Sequence, residues 1–285
     1  MLSVRRSAFR DAYGPYGLIA GGSDGLGYAF AEAAARRGVN LVLMARQPER
    51  LQAAADRLRG AYHVDVVAVE ADMADFEHVK ALIDGLGVEI GLLVYNAAYC
   101  PIGPFADQTS EQLAQAAAVN VRAPLLLAKL LTGPMIARGR GGVVLMSSLA
   151  GAQGSPNLAA YAATKSFNAT LAEGLWAELK PRGVDVVGCC AGAILTPGYT
   201  QAETLRPAPG SMAPAAIAEA TLDALGHGPI VVPGPVNKIG RFALTRLLSR
   251  RAAIAVMSKN TGGLVDVAGE QTGSCVPQGD VHRTS

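Results

Sequence analysis

The sequence predicts an α/β fold with a parallel sheet of about seven strands that is flanked by helices. Two patterns predict it: short apolar runs alternate with longer segments of helical period, and the first run, residues 16–20, enters a glycine-rich turn. Of the 285 residues, 50% are apolar and 17% are charged, so the chain can bury one large core. Because no internal repeat or long linker divides it, we expect a single domain.

Each element follows from a local signal. The apolar runs predict strands at residues 16–20, 40–45, 64–70, 90–95, 142–147, 184–190 and 229–232. The segments of helical period predict helices at residues 26–37, from about 48, and at 76–86, 110–137 and 158–180. Gly38 is a suitable C-cap for the first helix, and Pro48 suits the start of the second. An irregular, proline-rich segment at 193–214 lies where such folds build specificity loops.

The composition excludes several classes of protein. A formal net charge of +2 is too small for a nucleic-acid-binding surface. None of the four cysteines forms a CxxC pair, so the sequence indicates neither a metal site nor a disulfide framework, and we expect a reduced, cytoplasmic setting. Because no run of about 18 uninterrupted apolar residues is present, we expect no transmembrane helix.

The C-terminal part of the chain contains two distinct segments. Residues 238–259 combine basic with apolar side chains, which we interpret as an amphipathic helix that caps the substrate site or packs against another subunit. Peripheral contact with a membrane surface is the alternative. Residues 263–285 are polar, rich in glycine and without periodicity, so we expect a disordered tail.

Tyr161 and Lys165 place a phenol and an ammonium one helical turn apart, on one face of the helix predicted at 158–180. A free tyrosine titrates near pH ~10 and exchanges protons poorly at neutrality. A neighbouring positive charge favours the phenolate, so we expect Lys165 to lower the pKa of Tyr161 toward the range of an acid–base catalyst.

The turn after the first strand carries Gly21, Gly25 and Gly27 in a G-x-x-x-G-x-G arrangement. Glycine there lets the backbone turn and approach a pyrophosphate, whose charge is met by the N-terminus of the next helix. The position between a strand and an amphipathic helix therefore predicts nucleotide binding.

These motifs resemble those of the short-chain dehydrogenase/reductase family, in the subgroup with G-x-x-x-G-x-G and Tyr-x-x-x-Lys. The match extends from about Tyr16 to Thr196 and touches at least five motifs in the family's order. The resemblance implies a Rossmann-type, doubly wound catalytic domain over residues 1–262, with a variable substrate loop at about 193–214. It also implies a homodimer or homotetramer.

The resemblance implies a role for each matching residue. Four residues are implied as catalytic: Asn120, Ser148, Tyr161 and Lys165. Ser148 would hold the substrate oxygen, Tyr161 would exchange the proton, and Asn120 would position a water that links Lys165 to solvent. The implied cofactor residues are Gly21, Ser23, Gly25, Leu26, Gly27, Arg46, Asp72, Met73, Asn96, Lys165, Ile194 and Thr196. Tyr95, Ala98 and Ala191 depart from the family's usual Asn, Gly and Pro.

Arg46 indicates which nicotinamide the chain binds. An NAD(H) enzyme usually places an acid at the end of the second strand for the adenosine ribose, and Ala45 stands there instead. The planar cation of Arg46 suits a 2′-phosphate, with Ser23 as a neutral donor, so we expect NADP(H) rather than NAD(H).

The substrate is less defined by the sequence. The expected walls are mainly apolar, with Tyr99, Gln153 and Tyr199 among the polar exceptions, and they hold no paired Arg or Lys for a carboxylate. We therefore expect a neutral, fairly hydrophobic ketone or aldehyde and its alcohol. The alternative function is a non-enzymatic NADP(H)-binding regulator of the same fold.

Overall fold

The computed structural model of the protein describes residues 2–195 and 209–258. Within these residues a single sheet of seven parallel strands has the order β3-β2-β1-β4-β5-β6-β7. The strands are β1 (Tyr16–Ala20), β2 (Asn40–Ala45), β3 (Val66–Glu70), β4 (Ile90–Tyr95), β5 (Gly141–Ser148), β6 (Val184–Ala191) and β7 (Ile230–Val231). The fold class predicted from the sequence is therefore confirmed, with strand ends that shift by one or two residues.

Helices cover both faces of the sheet. They are α1 (Leu2–Tyr13), α2 (Gly25–Arg36), α3 (Pro48–Tyr62), α4 (Phe76–Asp84), α5 (Ser110–Ala117), α6 (Ala123–Arg138), α7 (Ala159–Leu179), α8 (Pro214–Asp223), α9 (Pro235–Phe242) and α10 (residues 250–258). Successive strand residues alternate between two buried clusters: Ile19 belongs to one, while Leu18 and Ala20 belong to the other. Burial of both faces explains why the strands read as continuous apolar runs.

Helix α1 was not predicted. Phe9 and Tyr13 pack in the core, and the hydroxyl of Tyr13 donates to Oδ2 of Asp185 at 2.8 Å, across 172 residues of sequence. Such a long-range bond leaves no local pattern in the sequence.

The helix predicted at 110–137 is interrupted by a π-helical turn at Ala118–Arg122, between α5 and α6. Pro124 follows this turn and has no N–H to donate to the carbonyl of Asn120, four residues earlier. The interruption therefore frees the Asn120 carbonyl for a partner outside the helix.

The combined stretch Ser110–Arg138 is also long and apolar enough, by length and composition alone, to cross a membrane. The sequence analysis considered only uninterrupted apolar runs, and it did not identify this stretch because polar residues are scattered along it. Half of its most apolar window is buried inside the molecule, where α6 packs against β4 and β5. A core helix of this kind meets the same criterion, so the finding is weak evidence for a membrane span.

The single helix predicted at 238–259 is wrong, since the structure has two helical segments there. Helix α9 begins earlier, at Pro235, and continues into a π-helical turn at Ala243–Leu247. Leu248 is extended, and the hydroxyl of Ser249 accepts a hydrogen bond from the N–H of Ala252 at 3.3 Å, which caps the start of α10. Of the irregular segment expected at 193–214, only residues 193–195 and 209–214 are among the described residues. The tail expected at 263–285 lies wholly outside them.

The strand order reverses direction beside β1, because β2 and β3 lie on one side of it and β4 on the other. The backbone N–H groups of Asn96 and Ala97, directly after β4, donate to the carbonyl of Ala20 at 3.1 and 2.8 Å. Ligands of such sheets bind in the crevice beyond the carboxyl ends of the strands at this reversal. The glycine-rich turn lies at its edge.

Gly27 determines the close packing of that turn. A Cβ atom at this position would lie 1.8 Å from the carbonyl oxygen of Gly21 and 2.8 Å from Nδ2 of Asn96. The same Nδ2 donates to the Gly21 carbonyl at 3.3 Å. The turn can hold this shape only with glycine at position 27.

We expect Gly27→Ala to lower the free energy of unfolding by about 1–3 kcal/mol, because the Gly21 carbonyl must move away. Gly174→Ala is the matched control: Gly174 is an exposed residue of α7, and an added Cβ meets nothing within 4 Å. This control should be as stable as the parent or more stable by up to about 1 kcal/mol. Urea denaturation measures both, and a Gly27→Ala variant with parental stability would contradict the packing described.

Candidate functional site

Ser148 and Tyr161 meet where β5 ends and α7 begins. Ser148 is the last residue of β5, and its hydroxyl accepts a hydrogen bond from the N–H of Ala150 at 3.2 Å. Tyr161 lies in the first turn of α7 and is half-buried. Burial raises the pKa of the Tyr161 phenol, negative charge on nearby Cys100 raises it further, and a hydrogen bond with Ser148 lowers it. Burial is the largest of these effects, so the phenol keeps its proton at neutral pH.

Lys165 lies one turn further along α7 and is 3% exposed. Its ammonium Nζ donates to the carbonyl of Met146 at 3.0 Å and lies 5.5 Å from the centroid of the Tyr161 ring. Burial lowers the pKa of Lys165 to about 8. The sequence analysis expected the pKa of Tyr161 to fall toward neutrality beside Lys165, and that net shift is wrong for this structure, because burial raises the pKa instead.

Asn120 is fully buried in the π-helical turn. Its Nδ2 donates to the backbone carbonyl of Tyr99 at 2.7 Å and to Oγ1 of Thr164 at 3.1 Å, and its Oδ1 accepts from the N–H of Tyr99 at 2.8 Å. Both amide hydrogens are therefore used within the protein. The side chain fixes the segment around Tyr99 against α7, and the water-holding role that the resemblance implies stays a prediction.

Asn168 is a site residue that the sequence analysis missed. It is 1% exposed, and its Nδ2 donates to the carbonyl of Asn120 at 3.2 Å and, with a long bond of 3.4 Å, to that of Met146. Its Oδ1 has no hydrogen-bond partner. The available signal was spacing, since residues 161, 165 and 168 share one face of α7.

Tyr95 explains one departure from the family pattern. Its side chain is 1% exposed, and its hydroxyl donates to the carbonyl of Val119 in the π-helical turn. Burial raises the pKa of this phenol, so it stays a neutral donor. Tyr95 thus joins the end of β4 to the turn that carries Asn120.

A cavity of about 660 Å³ opens at the carboxyl ends of β1, β2 and β4. Seven predicted site residues line it: Gly21, Ser23, Arg46, Asp72, Met73, Asn96 and Tyr99. It is also lined by Asp24, Met44, Ala45, Gln47, Ala71, Ala97, Ala98 and Val119, which the predicted set did not include. Of these, Gln47 follows Arg46 directly and could have been found from that adjacency.

Other predicted residues lie outside this lining. Leu26 is buried in the core beside the glycine turn. Ile194 packs on the core and pairs with Met212 in an isolated parallel bridge, and the N–H of Leu195 donates to the Met212 carbonyl at 3.0 Å. Gly25 and Gly27 shape the turn. Ser148, Tyr161 and Lys165 are not in the lining, and α7 is joined to the cavity wall by the bonds from Asn120 to Thr164 and to Tyr99. Thr196 and Tyr199 lie outside the described residues.

The size and lining of the cavity suit a dinucleotide. Its volume is within the range of about 300–1,000 Å³ usual for ligand sites, and the glycine turn borders it at Gly21. Asp72 is fixed by accepting the N–H of Ala74 at 2.9 Å. Arg46 is exposed and pairs with no described carboxylate, whereas Asp24 lies 3.6 Å from Arg50. The adenosine end of the cavity therefore presents an uncompensated cation.

Gln153 follows the short helical turn Leu149–Ala152 beyond Ser148. It is 3% exposed, and neither its Nε2 nor its Oε1 has a hydrogen-bond partner among the residues that the structure describes. An unpaired buried amide is unfavourable by about 1–3 kcal/mol, so this side chain is suited to receive a polar ligand atom.

The buried charge of Lys165 makes the stability of the folded protein depend on pH. The shift of its pKa from 10.5 to about 8 corresponds to at most about 3 kcal/mol of unfavourable charge burial. Below pH 8 the amine is charged in both the folded and unfolded chains, and folding carries the whole penalty. Between pH 8 and 10.5 the folded chain has lost the proton that the unfolded chain keeps, so the penalty decreases as the pH rises.

We expect Lys165→Met to raise the free energy of unfolding at pH 7 by about 1–3 kcal/mol, with an advantage that disappears by about pH 10.5. Urea denaturation at several pH values measures this. Lys129→Met, on the exposed side of α6, is the control and should show no such pH dependence. A Lys165→Met variant less stable than the parent at pH 7 would refute the argument.

Comparison with known proteins identifies the family of the chain. Residues 17–205 match the family model of short-chain dehydrogenases. A very-long-chain 3-oxoacyl-CoA reductase of Phaeosphaeria nodorum is 30% identical over 262 residues, which cover 86% of this chain and 76% of the relative. A 7beta-hydroxysteroid dehydrogenase of Collinsella aerofaciens is 31% identical over 239 residues, which cover 80% of this chain and 89% of the relative.

Solved structures agree with the sequence relatives. A 7beta-hydroxysteroid dehydrogenase superposes with a TM-score of 0.81 at 28% identity, over 87% of this chain and 98% of its own. Two further similar structures, with TM-scores of 0.72 and 0.69, contain NADPH and NAD respectively. Since the family model covers more than half of the sequence and the sheet matches these structures, the chain belongs to the short-chain dehydrogenase family of oxidoreductases.

Proposed function

We propose that this protein is an NADP(H)-dependent oxidoreductase that interconverts a neutral, fairly hydrophobic ketone or aldehyde and its alcohol. The observation that carries the proposal is the half-buried phenol of Tyr161, which interacts with Ser148 and lies beside the buried ammonium of Lys165. This group can give a proton to an oxygen atom that Ser148 holds.

The chemistry of the chain's own residues follows from these contacts. The hydroxyl of Ser148 donates to the substrate oxygen and sets its distance from Tyr161. Because burial keeps the Tyr161 phenol protonated, it acts as the acid in reduction and transfers its proton to the developing alkoxide. The ammonium of Lys165 stabilises the phenolate that remains, in surroundings where water is excluded. The nicotinamide supplies the hydride when it is bound.

The cofactor preference rests on Arg46. Similar structures hold NADPH or NAD, so the family alone leaves the choice open. Arg46 lines the cavity and has no described acidic partner, and Asp24, which also lines the cavity, lies 3.6 Å from Arg50. A 2′-phosphate would meet a guanidinium at this position, which favours NADP(H).

The substrate class rests on Gln153 and on the relatives. The two sequence relatives are named for a very-long-chain 3-oxoacyl-CoA and for a hydroxysteroid, which both carry large apolar groups. We propose that the unpaired amide of Gln153 meets a polar atom of the substrate, while apolar surface near Tyr99 meets its hydrocarbon part.

We expect Tyr161→Phe to reduce turnover at least about 1,000-fold and to leave the dissociation constant of NADPH within about threefold, because only the proton donor is removed. Turnover is followed by NADPH absorbance on a panel of chemically diverse carbonyl compounds, and binding by NADPH fluorescence. Tyr62→Phe is the control. It removes the hydroxyl of Tyr62 on α3, which donates to Oε1 of Glu32 at 2.8 Å.

Two outcomes would overturn the assignment. A Tyr161→Phe variant with a near-normal rate would remove Tyr161 from the chemistry. Tight NADPH binding by the parent protein with no turnover on any carbonyl would instead support a cofactor-binding regulator of the same fold.

We expect Arg46→Ala to raise the dissociation constant of NADPH about 10- to 100-fold, since a charge-assisted bond to the phosphate contributes about 1.5–3 kcal/mol. The dissociation constant of NADH should change less than about threefold. Fluorescence titration of both cofactors measures this, with Arg50→Ala, in the first turn of α3 just beyond Arg46, as the control. Tighter binding of NADH than NADPH by the parent would reject the NADP(H) preference.

A further inference from the structure

The residues from Val236 to Val256 expose an unusual amount of apolar surface. Nine large apolar side chains are exposed among the described residues, and six of them lie in this stretch. The six are Val236, Ile239, Phe242, Leu247, Leu248 and Val256, with exposed fractions from 39% to 70%. We call the exposed side chains of residues 236–256 the C-terminal surface.

The C-terminal surface also lies in a stretch of purely positive formal charge. The sequence contains no Asp or Glu between Asp223 and Asp266, and this interval holds six basic residues. Since the whole chain has a formal net charge of +2, the remainder carries −4. None of the described basic residues of the interval forms an ion pair with a described carboxylate.

Three of these cations converge on one cavity. Lys238, Arg241 and Arg246 line a space of about 320 Å³, together with Phe242 and Thr245 and with Ile230 and Val232 at its base. Two guanidinium groups and an ammonium are donors that bind phosphate oxygens in proteins. No acidic side chain is among the described residues that line it.

We propose that the C-terminal surface docks on an anionic phospholipid membrane, with the cationic cavity taking the phosphate of a lipid headgroup. Exposed apolar side chains beside cations are the features of interfacial helices, which insert the former and attract lipid charge with the latter. This proposal is independent of the reaction proposed above.

A second copy of the chain fits this surface poorly. A twofold contact places the same patch on both partners, so cations would face cations with no described carboxylate between them. Nucleic acid also fits poorly, because Ile239 and Leu247, at 70% and 68% exposure, would lie against a charged backbone. An anionic lipid layer satisfies the charge and the apolar side chains together.

The surface is close to the substrate side of the fold. Helix α9 packs against the short helical turn Leu149–Ala152, directly after Ser148, and Nη1 of Arg250 donates to the carbonyl of Ala152 at 2.9 Å. Docking would therefore bring the segment beyond Ser148 close to the membrane, which suits a substrate that partitions into lipid.

Co-sedimentation of the full-length protein with vesicles tests the proposal. One set of vesicles contains phosphatidylcholine alone, and the other contains phosphatidylcholine with phosphatidylglycerol. We expect binding to the anionic vesicles, weakening as salt rises, and little binding to the neutral ones. Equal binding to both, or binding to neither, would overturn the proposal.

Two variants separate the contributions of positive charge and of exposed apolar area to vesicle binding. Replacing Lys238, Arg241 and Arg246 by Gln should weaken binding to anionic vesicles about 100-fold, since each basic residue contributes about fivefold. Ile239→Ser with Phe242→Ser should also abolish most binding. Matched controls are Lys129→Gln with Arg182→Gln for charge and Phe105→Ser for exposed apolar area, and these should bind as the parent does.

Sedimentation velocity without vesicles tests whether a second copy of the chain, rather than a membrane, occupies the C-terminal surface. A dimer that the Ile239→Ser, Phe242→Ser variant dissociates, together with no vesicle binding, would show that the surface joins two copies and would refute membrane docking. Because neither measurement uses turnover, a failure here is separate from a failure of the proposed reaction.

Discussion

The carbonyl oxygen of Met146 accepts hydrogen bonds from two buried side chains of α7, the ammonium of Lys165 and the amide of Asn168. The Asn168 amide also donates to the carbonyl of Asn120, which is available because Pro124 has no N–H. Strand β5, helix α7 and the π-helical turn are therefore joined at one point. The positions of Ser148, two residues beyond Met146, and of Tyr161, one turn before Lys165, depend on that junction.

The buried charge at this junction is electrostatically unfavourable. Lys165 is a buried cation with no carboxylate partner among the described residues, and a carbonyl dipole compensates it only in part, which is why burial lowers its pKa to about 8. A buried cation is favourable where negative charge develops, and Tyr161 becomes negative once it gives up its proton. An apolar side chain in place of Lys165 would thus make the folded protein more stable. The ammonium of Lys165 instead favours the negative charge that the proposed proton transfer creates on Tyr161.

Features that depend on short-range patterns could be predicted from the sequence. The strands, the glycine turn and the Tyr161–Lys165 spacing are of this kind, and the fold class and family followed from them. The bonds of Asn120 to the backbone of Tyr99 could not be predicted, because they depend on how a loop 21 residues away is folded. The pKa of Tyr161 depends on burial, which a helical spacing does not specify. The break before α10 had a local signal in Ser249, a typical N-cap, which the apolar periodicity around it concealed.

The two phosphate sites that we propose differ in physical character. At the glycine turn, the backbone comes close because Gly27 has no side chain, and Arg46 is the one cation among the described residues of the cavity wall. The C-terminal surface instead gathers three cations on side chains and surrounds them with exposed apolar groups. A soluble dinucleotide has no long hydrocarbon to bury and fits the first place, whereas a lipid uses both features of the second. The two proposed sites therefore select different ligands.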